Sequence, residues 1–274
     1  MEIIMKYKLL VMDIDDTLVS NARPVSHENA AAIRRAREAG VYVTVATGRS
    51  YFGTRPVVKQ LDLDTYVINY GGAVIMDAKT EKPLFVTELE DKYIKEILRM
   101  ASELGVHAHI YQDDCVIYEK DHPYVQAYTK LLDLPHRVEP DIRKMYWKNV
   151  PKALIITEPE RVKELMPIFK AHFEGRVHVS ESSAGFIEFN RVGANKGTAA
   201  ESVAARLGIP HEQTVAIGDN TLDYELIQWA SLGAVIGNGN EKLKAVADVI
   251  TPPCCENGVA WLIDNYILLK RRGK

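Results

Sequence analysis

Strand and helix patterns alternate along residues 8–76 of this chain, and the same rhythm returns from 197 to 247. Parallel strands need crossover connections, commonly helices, so this alternation predicts a parallel, doubly wound sheet. In the first stretch, the apolar run Lys8–Met12 reads as a short buried strand. Ser26 follows Arg23-Pro24-Val25 and caps a helix with Ala30, Ile33 and Ala36 on one face, which stops at Gly40. A strand over 41–46, a helix over 55–61 and a strand over 66–69 complete that stretch. The second stretch reads as helix 197–207, strand 214–218, helix 224–230, strand 234–236 and helix 241–247.

Between the two stretches the pattern changes. Helices are expected over 92–104 and 160–173, with β-rich runs at 107–111, 115–119, 153–157, 177–180 and 186–189. The chain therefore reads as a discontinuous α/β domain, residues 1–82 and 190–274, interrupted by an α+β insertion over 83–189.

With 274 residues, 47% hydrophobic and 26% charged, the chain can bury a sizeable core. Its net charge of −3 supplies no general basic field for nucleic acid or anionic lipid. An anionic ligand must then be held by local cations, helix N-termini and a metal. The terminal Lys270-Arg271-Arg272-Gly273-Lys274 reads as a solvated tail. Three cysteines, Cys115, Cys254 and Cys255, form neither a disulfide framework nor a zinc spacing. No secretion signal or apolar membrane span is evident, so a cytoplasmic location is expected.

Four segments fall at expected strand or helix ends, where open α/β sheets bind ligands. The first, Asp13-Ile14-Asp15-Asp16-Thr17, crowds three carboxylates behind a buried strand and calls for a cation, with magnesium the natural hard partner. On this segment alone an acidic turn is an even competitor. One carboxylate suits a nucleophile towards a phosphoryl group, and the one two residues on suits a general acid and base. Next, Thr47-Gly48-Arg49 offers a hydroxyl, backbone N–H groups and a charge to phosphate oxygens, although Arg49 would equally suit a surface ion pair. Lys196, at the start of a helix, opposes the helix dipole unless an anion faces it. Finally, in Gly218-Asp219-Asn220-Thr221-Leu222-Asp223, Asp219 closes a strand beside Asp13, while Asp223 either binds metal or caps the next helix.

Taken with Ala46-Thr47-Gly48-Arg49, Asn195-Lys196-Gly197, Ala216-Ile217-Gly218-Asp219 and the segment from Ile236-Gly237-Asn238 through Ala247-Asp248 to Asn257-Gly258-Val259, the chain resembles the haloacid dehalogenase superfamily. The resemblance is to its Cof-type phosphatases, which carry a large α/β cap of the C2 type, and it runs through the whole chain. It implies a Rossmann-like catalytic core with an inserted cap that selects the substrate. It also implies a magnesium-dependent phosphatase of small phosphorylated metabolites, acting through an aspartyl-phosphate as a monomer or homodimer. On that resemblance Asp13 is the nucleophile and Asp15 the acid/base, whose backbone carbonyl also binds magnesium. Thr47 and Gly48 hold phosphoryl oxygens, with Arg49 beside them. Lys196 neutralises the aspartyl-phosphate, and Asp219, with Asp223 as a further candidate, completes the metal site.

Three positions depart from the family pattern. Asp16 replaces a glycine, Gly71-Gly72-Ala73 replaces Asn-Gly-Ala, and Leu222 stands where an asparagine is expected. The adjacent Asn220 is a candidate hydrogen-bonding partner for the substrate. Two readings compete with hydrolysis: a sugar phosphomutase on the same scaffold, and a non-catalytic binding protein. His107 and His109 share a strand face but lack an evident third metal ligand. Asp113-Asp114 reads as a turn and Cys254-Cys255 as loop or core. Tyr111, Tyr118, Tyr124 and Tyr128 are candidates for the cap's substrate face.

Overall fold

The computed structural model describes residues 6–20, 24–182 and 184–268. Arg23 and the basic tail over 270–274, both read from the sequence, lie outside the described residues. Two compact units are formed. The first comprises the chain up to Thr47, Thr54–Leu84 and the chain from Asn195 onwards; the second comprises Gly48–Gly53 and Phe85–Ala194.

In chain order the first elements are β1 (Leu9–Met12), α1 (His27–Glu38), β2 (Tyr42–Val45), α2 (Tyr51–Gln60), β3 (Tyr66–Asn69), β4 (Val74–Asp77) and β5 (Lys82–Val86). The inserted stretch adds α3 (Asp91–Glu103), β6 (His107–Gln112), β7 (Cys115–Tyr118), α4 (Pro123–Leu131), β8 (His136–Val138), β9 (Ala153–Ile156), α5 (Pro159–His172), β10 (Val177–Glu181) and β11 (Phe186–Arg191). The chain then returns as α6 (Lys196–Leu207), β12 (Thr214–Gly218), α7 (Tyr224–Trp229), β13 (Leu232–Val235), α8 (Glu241–Lys244), β14 (Val249–Ile250) and α9 (Gly258–Leu262).

The first unit is built on a five-stranded parallel sheet in the order β14-β13-β12-β1-β2. β1 is an interior strand and every one of its residues is buried, as a strand covered on both faces requires. Its two neighbours come from distant parts of the chain: Met12 is in register with Val45 of β2 and with Ile217 of β12. The chain leaves β1 towards one edge and comes back at β12 on its other side, which makes the carboxyl end of β1 a topological switch point.

β3 departs from the simple alternation expected of it. It touches the parallel sheet through a single bridge, Ala46 to Ile68, and otherwise pairs antiparallel with β4 in a three-stranded sheet, β3-β4-β5. In α1, Ser26 caps as expected, its Oγ accepting from the Asn29 N–H, but the buried stripe is Asn29, Ala32, Ile33 and Ala36. Ala30 is only half-buried. The helix expected over 55–61 begins earlier, at Tyr51, and α8 is cut to Glu241–Lys244.

The second unit carries a six-stranded sheet in the order β10-β11-β9-β6-β7-β8. Strand alternation sends Ile110, Ile117, Ile155, Ile187 and Phe189 to an apolar face, where they form a core with α3 and α5. The opposite face receives His107, His109, Tyr111, Lys152, Glu188 and Asn190, all buried. Two elements here escape the sequence pattern. α4 starts at Pro123 and buries Val125 and Thr129, and β8 is a three-residue edge strand exposed throughout.

Candidate active site

The carboxyl ends of β1 and β12 lie side by side, and each is followed at once by an aspartate. The Asp13 N–H donates to Ile217 O at 2.9 Å, so the β1–β12 ladder continues one step and holds the Asp13 backbone firmly. Lys196 arrives from the first turn of α6, where Asn195 is the N-cap and accepts from the Thr198 N–H. Its ammonium donates to Asp13 Oδ1 and to Asp223 Oδ1, both at 2.6 Å.

All three groups are out of solvent: Asp13 is 3% exposed, Lys196 2% and Asp223 0%. Burial alone would lower the lysine pKa, but Asp13 and Asp223 overcome it and hold the ammonium well above its ordinary value. Asp13 is pushed well above the carboxylate range, first by burial and then by Asp223 and Asp219, with Lys196 opposing. Asp219 is pushed up to about 6, first by burial and then by Asp223. One buried cation thus faces three converging carboxylates, and the centre is short of positive charge.

Carboxylate oxygens of Asp13, Asp219 and Asp223 all lie within 4.8 Å of one another. Asp13 Oδ2 is buried with no hydrogen-bond partner. A buried, unsatisfied carboxylate oxygen is costly, and a hard divalent cation would satisfy it. The donor set, carboxylates only, fits such an ion.

The other expected residues occupy definite places. Asp15 is exposed just beyond β1, bridging to Val19. Asp16 takes a left-handed backbone at φ 58°, and its carbonyl accepts from Asn238 Nδ2 at 2.8 Å. Asn and Asp tolerate that conformation where most residues do not, so a turn that suits glycine accepts aspartate. The same reasoning covers Gly71, whose φ of 65° suits glycine or asparagine alike. Gly72 has no such latitude: a Cβ there would sit 2.1 Å from the Asn195 carbonyl oxygen, just ahead of Lys196.

Thr47 is fully buried, and its N–H donates to Ile68 O at 2.9 Å. Gly48 and Arg49 fall within the second unit. There the Arg49 guanidinium donates to Gly53 O at 3.1 Å. Asn220 is committed locally: its Nδ2 donates to Asp219 Oδ1 at 3.0 Å and its Oδ1 accepts from the Leu222 N–H at 2.9 Å. Asp223 makes no side-chain capping bond to α7; its Oδ2 accepts from the Asp219 and Asn220 N–H groups and closes the short turn ahead of that helix, while Oδ1 holds Lys196.

Sequence reasoning gave no role to Thr17 or Asn238. Thr17 is fully buried and its hydroxyl donates to Asp219 Oδ1 at 3.2 Å. Asn238 ties the Asp16 carbonyl to the Cys254 N–H, which donates to Asn238 Oδ1 at 2.8 Å. The available signal was position: Asn238 stands just beyond β13, the next parallel strand. The other doubtful segments resolve simply. Asp113 and Asp114, both at positive φ, form the β6–β7 turn. Cys254 is buried, Cys255 is exposed, and both are free thiols.

The fold and this centre define an α/β enzyme built around a buried aspartate, its lysine and a place for a cation. The chain belongs to the haloacid dehalogenase-like hydrolases, whose family profile matches residues 10–263. It is 25% identical over 266 residues to the 5-amino-6-(5-phospho-D-ribitylamino)uracil phosphatase YitU of Bacillus subtilis, covering 95% of this chain and 98% of that protein. It is 27% identical over 263 residues to the HMP-PP phosphatase of Serratia proteamaculans, covering 95% and 96% respectively. Among solved structures, a haloacid dehalogenase-like hydrolase from Bacteroides thetaiotaomicron superposes with a TM-score of 0.85 at 26% identity, covering 94% of this chain and 98% of that one. Among the described residues, no helix is long and apolar enough to cross a membrane.

Proposed function

We propose that the protein is a magnesium-dependent phosphomonoester hydrolase acting on small phosphorylated metabolites, the class to which the compound named for the Bacillus subtilis relative belongs. One observation carries the reading: Asp13 presents one oxygen to Lys196 and a second, buried oxygen to no protein group. That is the arrangement of an oriented nucleophile beside a cation.

In the proposed reaction Asp13 attacks phosphorus and forms a bond to it while the bond to the ester oxygen breaks. Asp15 gives its proton to the departing alcohol. Asp15 then takes a proton from water as the water oxygen attacks the same phosphorus, releasing phosphate and restoring Asp13. Lys196 holds the Asp13 carboxylate in place and balances charge on the phosphoryl oxygens. Thr47, with Gly48 and Arg49, supplies hydrogen bonds to those oxygens. Asp13, Asp219 and the Asp15 carbonyl would hold the magnesium, with Asp223 behind them. When bound, the ion supplies positive charge against the phosphoryl oxygens. The inserted unit serves as the cap that chooses the leaving group.

The test is hydrolysis of 4-nitrophenyl phosphate and of a panel of phosphorylated metabolites, with magnesium and with chelator. Turnover that needs magnesium and vanishes in Asp13→Asn is expected. Near wild-type turnover in that variant would overturn the mechanism.

A further inference from the structure

We propose that Lys152 and Asp114 of the inserted stretch are positioning residues that set the phosphate-binding turn Thr47-Gly48-Arg49. The proposal rests on the hydrolase reading above and names two residues that act on its phosphate-holding segment. Within the second unit, Gly48–Gly53 is gripped at both of its ends by side chains that lie far along the chain.

At the leading end, Lys152 Nζ donates to the Gly48 carbonyl at 3.3 Å and to Glu188 Oε1 at 2.8 Å. Lys152 is 3% exposed and Glu188 8%. Glu188 is itself fixed by the Ser182 hydroxyl, which donates to Oε1 at 2.8 Å, and the ammonium lies 5.3 Å from the centroid of the Tyr111 ring. A buried ion pair is weak evidence for stability, because desolvation consumes most of the attraction. What distinguishes this one is the further donation to a main-chain carbonyl. A peptide group is planar and trans, so fixing the Gly48 C=O towards Lys152 aims the Arg49 N–H the opposite way. The lysine thereby sets the direction of a donor in the turn.

At the trailing end, Asp114 accepts from the Tyr51 N–H through Oδ1 at 3.0 Å and from the Phe52 N–H through Oδ2. These N–H groups open α2, so a carboxylate of the protein occupies the helix terminus that would otherwise attract an anion. A cation on the Gly48 carbonyl and an anion on the amides after Arg49 leave that segment little freedom.

The experiment uses the full-length protein and three variants, Lys152→Met, Lys152→Arg and Asp114→Ala. It reads amide hydrogen exchange over residues 48–52, the KM and kcat for 4-nitrophenyl phosphate, and the inhibition constant of inorganic phosphate. Lys152→Met is expected to raise KM and the phosphate inhibition constant about tenfold, the loss of one hydrogen bond from a charged donor, with a smaller change in kcat. Lys152→Arg restores most of that loss, and Asp114→Ala speeds exchange at Tyr51 and Phe52. Unchanged exchange over 48–52 together with unchanged KM and inhibition constant overturns the proposal, even where melting temperature falls. If Lys152→Met does not fold, Asp114→Ala decides by the same readings. If the unmodified protein hydrolyses no phosphate ester, the hydrolase reading fails, while faster exchange in the variants still upholds the grip on the turn.

Discussion

Buried charge occurs in both units, and the two clusters are built on opposite terms. In the second unit, Lys152 and Glu188 neutralise one another, one cation to one anion, with Ser182 and the Gly48 carbonyl taking further hydrogen bonds. In the first unit, Lys196 faces Asp13 and Asp223, Asp219 stands close by, and one Asp13 oxygen is left without a hydrogen-bond partner. Burial therefore does not distinguish a site from a scaffold. The imbalance does, because an unsatisfied charge is retained only where something else completes it.

The sharpest way to break this comparison is Asp13→Asn. Turnover should fall by about 10³-fold or more, since a nucleophile has no local substitute. The same change removes an uncompensated buried charge and leaves Lys196 paired with Asp223. Measured in chelator, its melting temperature should therefore be no lower than that of the unmodified protein. A clear drop would mean that Asp13 is balanced after all.

Lys196→Met should act in the other direction on stability. It strands two buried carboxylates, and a loss of about 3–5 kcal/mol in denaturant unfolding is expected, along with turnover. Glu188→Gln tests the paired cluster: it leaves Lys152 buried without its counter-charge and should cost somewhat less, about 2–4 kcal/mol, because the Gln oxygen still accepts.

In a pH titration of stability the second unit's share is read as the difference between the unmodified protein and His107→Phe, because the raised Asp13 and Asp219 carboxyls of the first unit act in the same range with the opposite sign. His107 and His109 are neighbours, with His107 Nε2 3.1 Å from His109 Nδ1. Burial first, and then His122, pulls His107 from 6.5 down to about 4. Burial first, and then His107 and Lys152, holds His109 well below its ordinary value. With these pKa values depressed, the unfolded chain takes up protons before the folded one. Their contribution to stability is therefore full above pH 6.5 and is lost as the pH drops towards about 4, by up to about 3 kcal/mol for His107. His107→Phe should flatten that slope. The smallest effect expected is from Asn238→Ala, about 1 kcal/mol from its lost tie to the Asp16 carbonyl.

The carboxylate cluster was partly legible in the sequence because two of its three acids directly follow an apolar strand, whereas Asp223 lies in the turn beyond. β1 and β12 show as short apolar runs, and Asp13 and Asp219 come immediately after them. Lys196 was visible as a cation placed against a helix dipole. The second unit was harder to read. α4 is short, with apolar residues on more than one side, and β8 is exposed along its length, so neither carries a clear periodic signal. Asp114 reads as a turn residue in sequence, and it is one. Its second task, accepting from amides more than sixty residues earlier, leaves no local trace. β3 misled for a related reason: its apolar run suits either sheet, and only the return of β4 decides its partner.

The position of β1 bears on how the molecule is made. One of its two neighbours, β2, emerges shortly after it, but the other, β12, begins at Thr214. A chain synthesised from its N-terminus must hold a wholly apolar strand with one flank open until the entire insertion has appeared. The insertion has a core of its own and can condense during that wait. Closure of the parallel sheet is then a late, long-range event, and long-range pairings close slowly. Because Asp13 and Asp219 meet only across that last seam, the newborn protein assembles its carboxylate cluster in the same step that seals its sheet.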